Sequence, residues 1–163
     1  MLIELSTTAA IVVSSVAWFL IGLVTGWLLH RQPVHRFAHD NWLTRPRRFE
    51  DQGRWYQRRL RIRSWKDRLP EKGDLFRGGF SKRRLVDRST SHLERFVAET
   101  RRAEVVHWSN LAAGPLFLLW CPPLIGSLMV VFGVVAHLPF IIVQRYNRER
   151  LQTILARRGR DRA

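Results

Sequence analysis

VVHWSNLAAGPLFLLWCPPLIGSLMVVFGVVAHLPFIIVQ, residues 105–144, runs forty positions without an Asp, Glu, Lys or Arg. One membrane-crossing helix needs about 20 apolar residues to traverse roughly 30 Å of hydrocarbon. The stretch is therefore too long for one ordinary span. It is interrupted at Trp120-Cys121-Pro122-Pro123, where two prolines remove two backbone donors. The pattern predicts a helical hairpin: an arm over 105–120, a turn, and a return helix over 124–143. The first arm is short, so the hairpin either spans the membrane or re-enters it. Gly114-Pro115 predicts a kink in that arm.

Working outward, a second uncharged stretch covers residues 5–30. Within it, 9–29 predicts a transmembrane helix. No basic residue precedes it, which argues for a retained anchor over a cleaved signal peptide. Gly22-Leu-Val-Thr-Gly26 has the small-xxx-small spacing that admits a neighbouring helix, or else two glycines tolerated against lipid.

The charge lies elsewhere. The chain holds 28 Lys and Arg against 13 Asp and Glu, a net +15, and 21 of those cations fall in 31–104 with seven more in 145–163. A basic excess separated from long apolar spans belongs to a membrane protein, and no nucleic-acid partner is expected. The positive-inside rule places the loop 31–104 and the basic tail 144–163 in the cytoplasm, so the hairpin between them crosses an even number of times. The expectation is a single integral domain over 1–163 in the cell membrane, multi-pass, with the bilayer as its first partner.

Trp42, Trp55, Tyr56, Trp65, Phe76 and Phe80 recur among the arginines of the loop, a mixture suited to the headgroup layer. Residues 54–65 fit helix and strand alike. Ser91-His-Leu-Glu94 has the form of a capping box, which starts a helix at about 91. At 100° per residue that helix puts Leu93, Phe96, Val97, Thr100, Glu104, His107 and Leu111 on one face, with Arg101 and Arg102 pointing elsewhere as anchors.

Glu104 and His107, three apart, can meet on a helix surface. A carboxylate that fixes one imidazole nitrogen leaves the other able to take a proton from an alcohol. The alternative is an interfacial pair that satisfies itself beside Trp108. His137-Leu-Pro predicts a histidine bonded to backbone at a proline kink. Gln144-Arg145-Tyr146-Asn147-Arg148 reads as an interface anchor, or as donors for a sugar and for phosphate. Trp65-Lys66-Asp67-Arg68 together with Gly78-Gly79-Phe80-Ser81-Lys82 offers cations and backbone amides to an anionic headgroup or a nucleotide phosphate. His35 and His39 have helical metal-ligand spacing but no accompanying ligand set, and no metal is expected. Cys121, the sole cysteine, reads as a small apolar turn residue.

Trp65-Lys66, Glu99-Thr100-x-Arg102-Ala103-Glu104-x-x-His107-Trp108 and Ile141-Ile142-Val143-Gln144-Arg145-Tyr146-Asn147-Arg148-x-Arg150-Leu151 together resemble the glycosyl-4,4'-diaponeurosporenoate acyltransferases of staphyloxanthin-type carotenoid synthesis. The likeness covers most of the chain; His35, His39, His137 and Cys121 fall outside its pattern. The resemblance implies a membrane O-acyltransferase that esterifies the sugar hydroxyl of a glycosylated carotenoid. It needs no cofactor, uses an acyl-coenzyme A donor and has other carotenoid-pathway enzymes as possible partners. On this reading His107 is the base and Glu104 orients it. Gln144, Arg145, Tyr146, Asn147, Arg148, Thr100 and Trp108 bind the acceptor, while Trp65, Lys66, Arg68 and Lys82 bind the donor. A non-enzymatic scaffold for pigment or glycolipid synthesis is the second reading.

Overall fold

A computed structural model describes residues 5–69 and 89–161. Among the described residues the chain is all-helical: α1 (Thr7–His30), α2 (Arg54–Leu60), α3 (Thr90–Ala113) and α4 (Pro123–Arg160), joined by short 3₁₀ turns. The described residues divide into two compact units. One holds those of Met1–Arg31 and Val106–Pro139; the other holds those of Gln32–Val105 and Phe140–Ala163.

In the first unit, α1 starts where the Ser6 hydroxyl accepts the Ala9 amide. Ala10, Ser14 and Trp18, spaced by four, form its buried stripe. Trp18 stacks on Phe117 at 4.8 Å between ring centroids. Its indole lies so close to Gly133 that an added Cβ there would sit 2.8 Å from Cη2. Ser14 Oγ meets Cys121 Sγ at 3.2 Å and accepts the Trp120 indole N–H at 3.3 Å. Cys121, expected as a small apolar turn residue, is also buried. Many large apolar side chains stay on the surface: Phe19 is 70%, Leu124 71% and Val135 67% exposed. Helices α1 and α4 are each long and apolar enough to cross a membrane. At Gly22 an added Cβ would meet nothing within 4 Å, so the close approach is made at Gly133 instead.

The first hairpin arm departs from expectation. Helix α3 ends at Ala113, and Gly114–Leu119 is a 3₁₀ helix with Pro115 in its first turn. Proline's fixed φ suits a helix start and breaks the α-pattern behind it. The return helix does not stop at Val143: α4 continues through Pro139 and the basic segment to Arg160.

In the second unit, Leu93, Phe96 and Val97 of α3 pack with Leu151 of α4, flanked by Ile154 and Leu155. Tyr56, Ile62 and Tyr146 form another cluster, with Trp65 and Val143 against it. Residues 54–65 resolve as α2 followed by a 3₁₀ turn, Ile62–Ser64. The cap of α3 is Ser89, whose Oγ accepts the His92 amide, so the helix starts one residue before the expected Ser91. Arg101 is no surface anchor. It is 5% exposed and ties down the loop, donating to Asp40 Oδ1 at 2.6 Å and to the carbonyls of Phe37 and Ala38. Arg102 donates to both oxygens of Glu99.

Candidate functional site

Glu104 lies on α3 where the helical wheel turns Leu93, Phe96, Val97 and Thr100 inward, and it is fully buried. A buried carboxylate must be paired. Arg145 Nε donates to Glu104 Oε1 at 2.7 Å, and Arg148 Nη1 lies 2.6 Å from Oε2, a contact of charges more than an aligned hydrogen bond. Arg145 also reaches Glu50 Oε1 and the Leu43 carbonyl, both at 2.6 Å, and Arg148 reaches the Thr44 carbonyl at 2.6 Å. Glu50, 1% exposed, accepts the Arg47 amide and the Tyr56 hydroxyl as well. Burial, reinforced by the adjacent Glu50 carboxylate, pushes the Tyr56 phenol well above its usual range, so it stays a donor. Two carboxylates, two arginines and a tyrosine thus lock α3, α4 and the loop of the second unit together.

Tyr146 takes part in a different cluster. Its hydroxyl accepts Arg63 Nε at 3.0 Å and Arg150 Nη1 at 2.9 Å. Burial alone would raise this phenol, but the two guanidinium groups outweigh it and leave the group below its ordinary value. With Arg54, Arg58 and Arg157, these arginines line a cleft of about 420 Å³. Gln52 and Gly53 line it too, within the turn Asp51-Gln52-Gly53, three successive left-handed residues. At Gly53 an added Cβ would make ordinary contact with Glu149 and Tyr146 at 3.4 and 3.5 Å, so it is the left-handed φ of 83° that favours glycine there.

In the first unit, His107 Nδ1 lies 3.2 Å from His137 Nδ1, with Trp18 against the His137 ring. A single proton must occupy the gap between two such nitrogens. In the neutral pair one ring therefore carries a lone pair on Nε2 and the other a proton. The pair combines one base with one donor inside an apolar unit. Thr25 Oγ1 donates to Asn110 Oδ1 nearby on the same unit.

The remaining expected residues are placed as follows. Thr100 is buried, its hydroxyl donated to the Val97 carbonyl. Trp108 and Asn147 are half-buried, and Gln144 is buried. Trp65 donates its indole N–H to the Leu60 carbonyl at 2.8 Å, Lys66 pairs with Asp67, and Arg68 is exposed. Lys82 lies outside the described residues. Among the described residues no cluster of metal-ligating side chains occurs. Sequence reasoning missed Glu50 and His137 as partners and missed the arginine cleft. For His137 a signal existed, an ionisable ring in a stretch without Asp, Glu, Lys or Arg. For Glu50 there was only its spacing from Arg47.

A family model described as glycosyl-4,4'-diaponeurosporenoate acyltransferase matches residues 39–157. Relatives bearing that name from Staphylococcus aureus, strains bovine RF122 / ET3-1 and USA300, are each 30% identical over 148 residues, covering 89% of both chains. No solved structure matches.

Proposed function

Since the chain belongs to the glycosyl-4,4'-diaponeurosporenoate acyltransferase family, we propose that it is a membrane-bound O-acyltransferase acting late in carotenoid synthesis. It transfers a fatty acyl group from a coenzyme A thioester to the sugar hydroxyl of a glycosylated carotenoid. Its loop and tail face the cytoplasm, because a multiply anionic thioester donor does not cross the bilayer.

The observation that carries the chemistry is the imidazole pair. With the shared proton on His107 Nδ1, Nε2 of His107 holds a lone pair and accepts the hydroxyl proton. The sugar oxygen then bonds to the acyl carbonyl carbon, the carbon–sulfur bond breaks, and the proton passes from Nε2 to the leaving thiolate. His137 is a positioning residue that accepts from Nδ1 and fixes the tautomer. Glu104 acts through position too, as the counter-ion that holds Arg145 and Arg148. Trp108, beside His107 on the same unit, serves the acceptor sugar, and the carotenoid and acyl chains lie along apolar surface.

The test is mass spectrometry of membranes supplied with acyl-coenzyme A and the glycosylated carotenoid. His107→Ala is expected to lower ester formation by about 10²–10⁴-fold, the usual weight of a general base, with membrane extraction unchanged. His137→Gln, which can still accept at that position, is expected to lose less and to shift the pH profile. Near-normal ester formation by His107→Ala overturns the mechanism. A wild-type protein that makes no ester favours a scaffold.

A further inference from the structure

The cleft beside Tyr146 uses residues that the acyl-transfer chemistry leaves unassigned. Arg54, Arg58, Arg63, Arg150 and Arg157 line it, and among the described residues none of those lining it is a carboxylate. Asp51, next in sequence to the lining residue Gln52, holds Arg54 at 2.6 Å and Arg58 at 2.8 Å, which fixes two side chains that remain more than half exposed. Arg63 and Arg150 converge on one phenolic oxygen at 3.0 and 2.9 Å. Two cationic nitrogens are therefore held within about 6 Å of each other, and like charges at that range repel. A guanidinium that gives one N–H to Tyr146 keeps four others, in the planar fork that matches phosphate oxygens. The volume falls in the range of about 300–1,000 Å³ typical of small-molecule sites.

We propose that this cleft is a binding site for clustered phosphate esters, of the class carried at the phosphoadenosine end of a coenzyme A thioester. Tyr146 is its positioning residue, since it sets the spacing of Arg63 and Arg150. Identification of the bound molecule as the acyl donor rests on the function proposed above; the phosphate site itself does not. It replaces Lys66, whose ammonium is paired with Asp67, as the place where donor phosphates dock.

The experiment uses the full chain in neutral detergent with adenosine 3',5'-bisphosphate as probe, followed by calorimetry. Binding is expected for the wild type and should weaken as salt rises. Arg150→Gln and Arg157→Gln should each weaken it about 10–100-fold, the weight of a charge-assisted hydrogen bond. Arg157 is not one of the two arginines that donate to the Tyr146 hydroxyl, so its variant keeps the test open should Arg150→Gln misfold. In a second arm the protein is placed in bilayers of phosphatidylcholine with or without phosphatidylglycerol. Capture of the anionic lipid, lost in both variants, would assign the phosphate to a headgroup and still support the site. Binding of neither probe, or binding unchanged in Arg157→Gln, overturns it. His107→Ala should bind the probe normally. A wild type that binds it yet makes no ester removes the acyltransferase reading and leaves the cleft. Ester formation with an unchanged donor KM in Arg157→Gln does the reverse.

Discussion

Glu104 shows what one residue does when its neighbours come from distant sequence. Both of its oxygens face guanidinium groups, and it is fully buried. Removing one partner of such a network leaves uncompensated charge, which costs about 3–5 kcal/mol. Glu104→Gln is therefore expected to lower thermal stability in detergent by at least that scale, and its loss of activity should follow its loss of fold. Retained Tm with lost activity would return Glu104 to an orienting role on His107. The helical wheel turned this side chain inward correctly, because its period depends only on local geometry. It could not supply Arg145, which arrives from 41 positions away, or Glu50, which reaches the network through Arg145 across 95 positions. Glu149 makes a second case. It is 8% exposed, its Oε1 meets no hydrogen-bond donor among the described residues, and burial holds its pKa above the ordinary 4.5. Because folding favours the protonated form, the associated stability is full below the unfolded value and is lost as pH rises through the folded one. On acidification toward pH 4.5 the wild-type Tm should thus gain more than that of Glu149→Gln, as thermal melts at several pH values would read. Equal slopes for the two proteins would refute this.

At the scale of elements, what was legible depended on whether a signal was local. Helix α1 followed from a 21-residue uncharged, mostly apolar stretch and ran three residues longer than 9–29 in total, ending at His30. The extension of α4 to Arg160 was hidden because hydropathy, not hydrogen bonding, marked the end at Val143. Polar residues such as Arg145 and Arg148 continue the helix since the second unit supplies their partners. The glycines make the same point. Gly22 and Gly133 look alike in sequence, both within apolar helices, yet only Gly133 has an indole against it. Gly133→Ala forces the Trp18 ring away from its stack on Phe117, and overpacking of this kind costs about 1–3 kcal/mol. Gly22→Ala adds a methyl to open space and should stabilise by the difference in helix propensity, about 1 kcal/mol or less. Thermal melts of the two variants in the same detergent are expected to move in opposite directions. A Gly133→Ala protein that melts like the wild type would show that Trp18 has room to shift.

For the whole molecule, charge placement carries an argument that neither residue nor element can. The cations of 31–104 and of 145–163 flank an uncharged stretch of forty residues. If both basic segments stay on one side, the chain between them crosses the membrane twice or only enters it and returns. Arg36 lies in the first basic segment and is exposed. Gly159 lies in the second, and an added Cβ there meets nothing within 4 Å. Cys121 is the only cysteine and packs against the Ser14 hydroxyl, so Cys121→Ser gives a compatible cysteine-free background. In that background Arg36→Cys and Gly159→Cys should each react with a membrane-impermeant thiol reagent only after cells are permeabilised. Labelling of both in intact cells would reverse the orientation and separate the arginine cleft from any cytoplasmic donor. Labelling of one but not the other would mean an odd number of crossings between them. An odd count would require the stretch from α3 through Pro123 into α4 to pass the membrane once, against the turn that Pro122 and Pro123 impose. The paired result, protection of both until permeabilisation, is the one consistent with an anionic thioester reaching the basic segments.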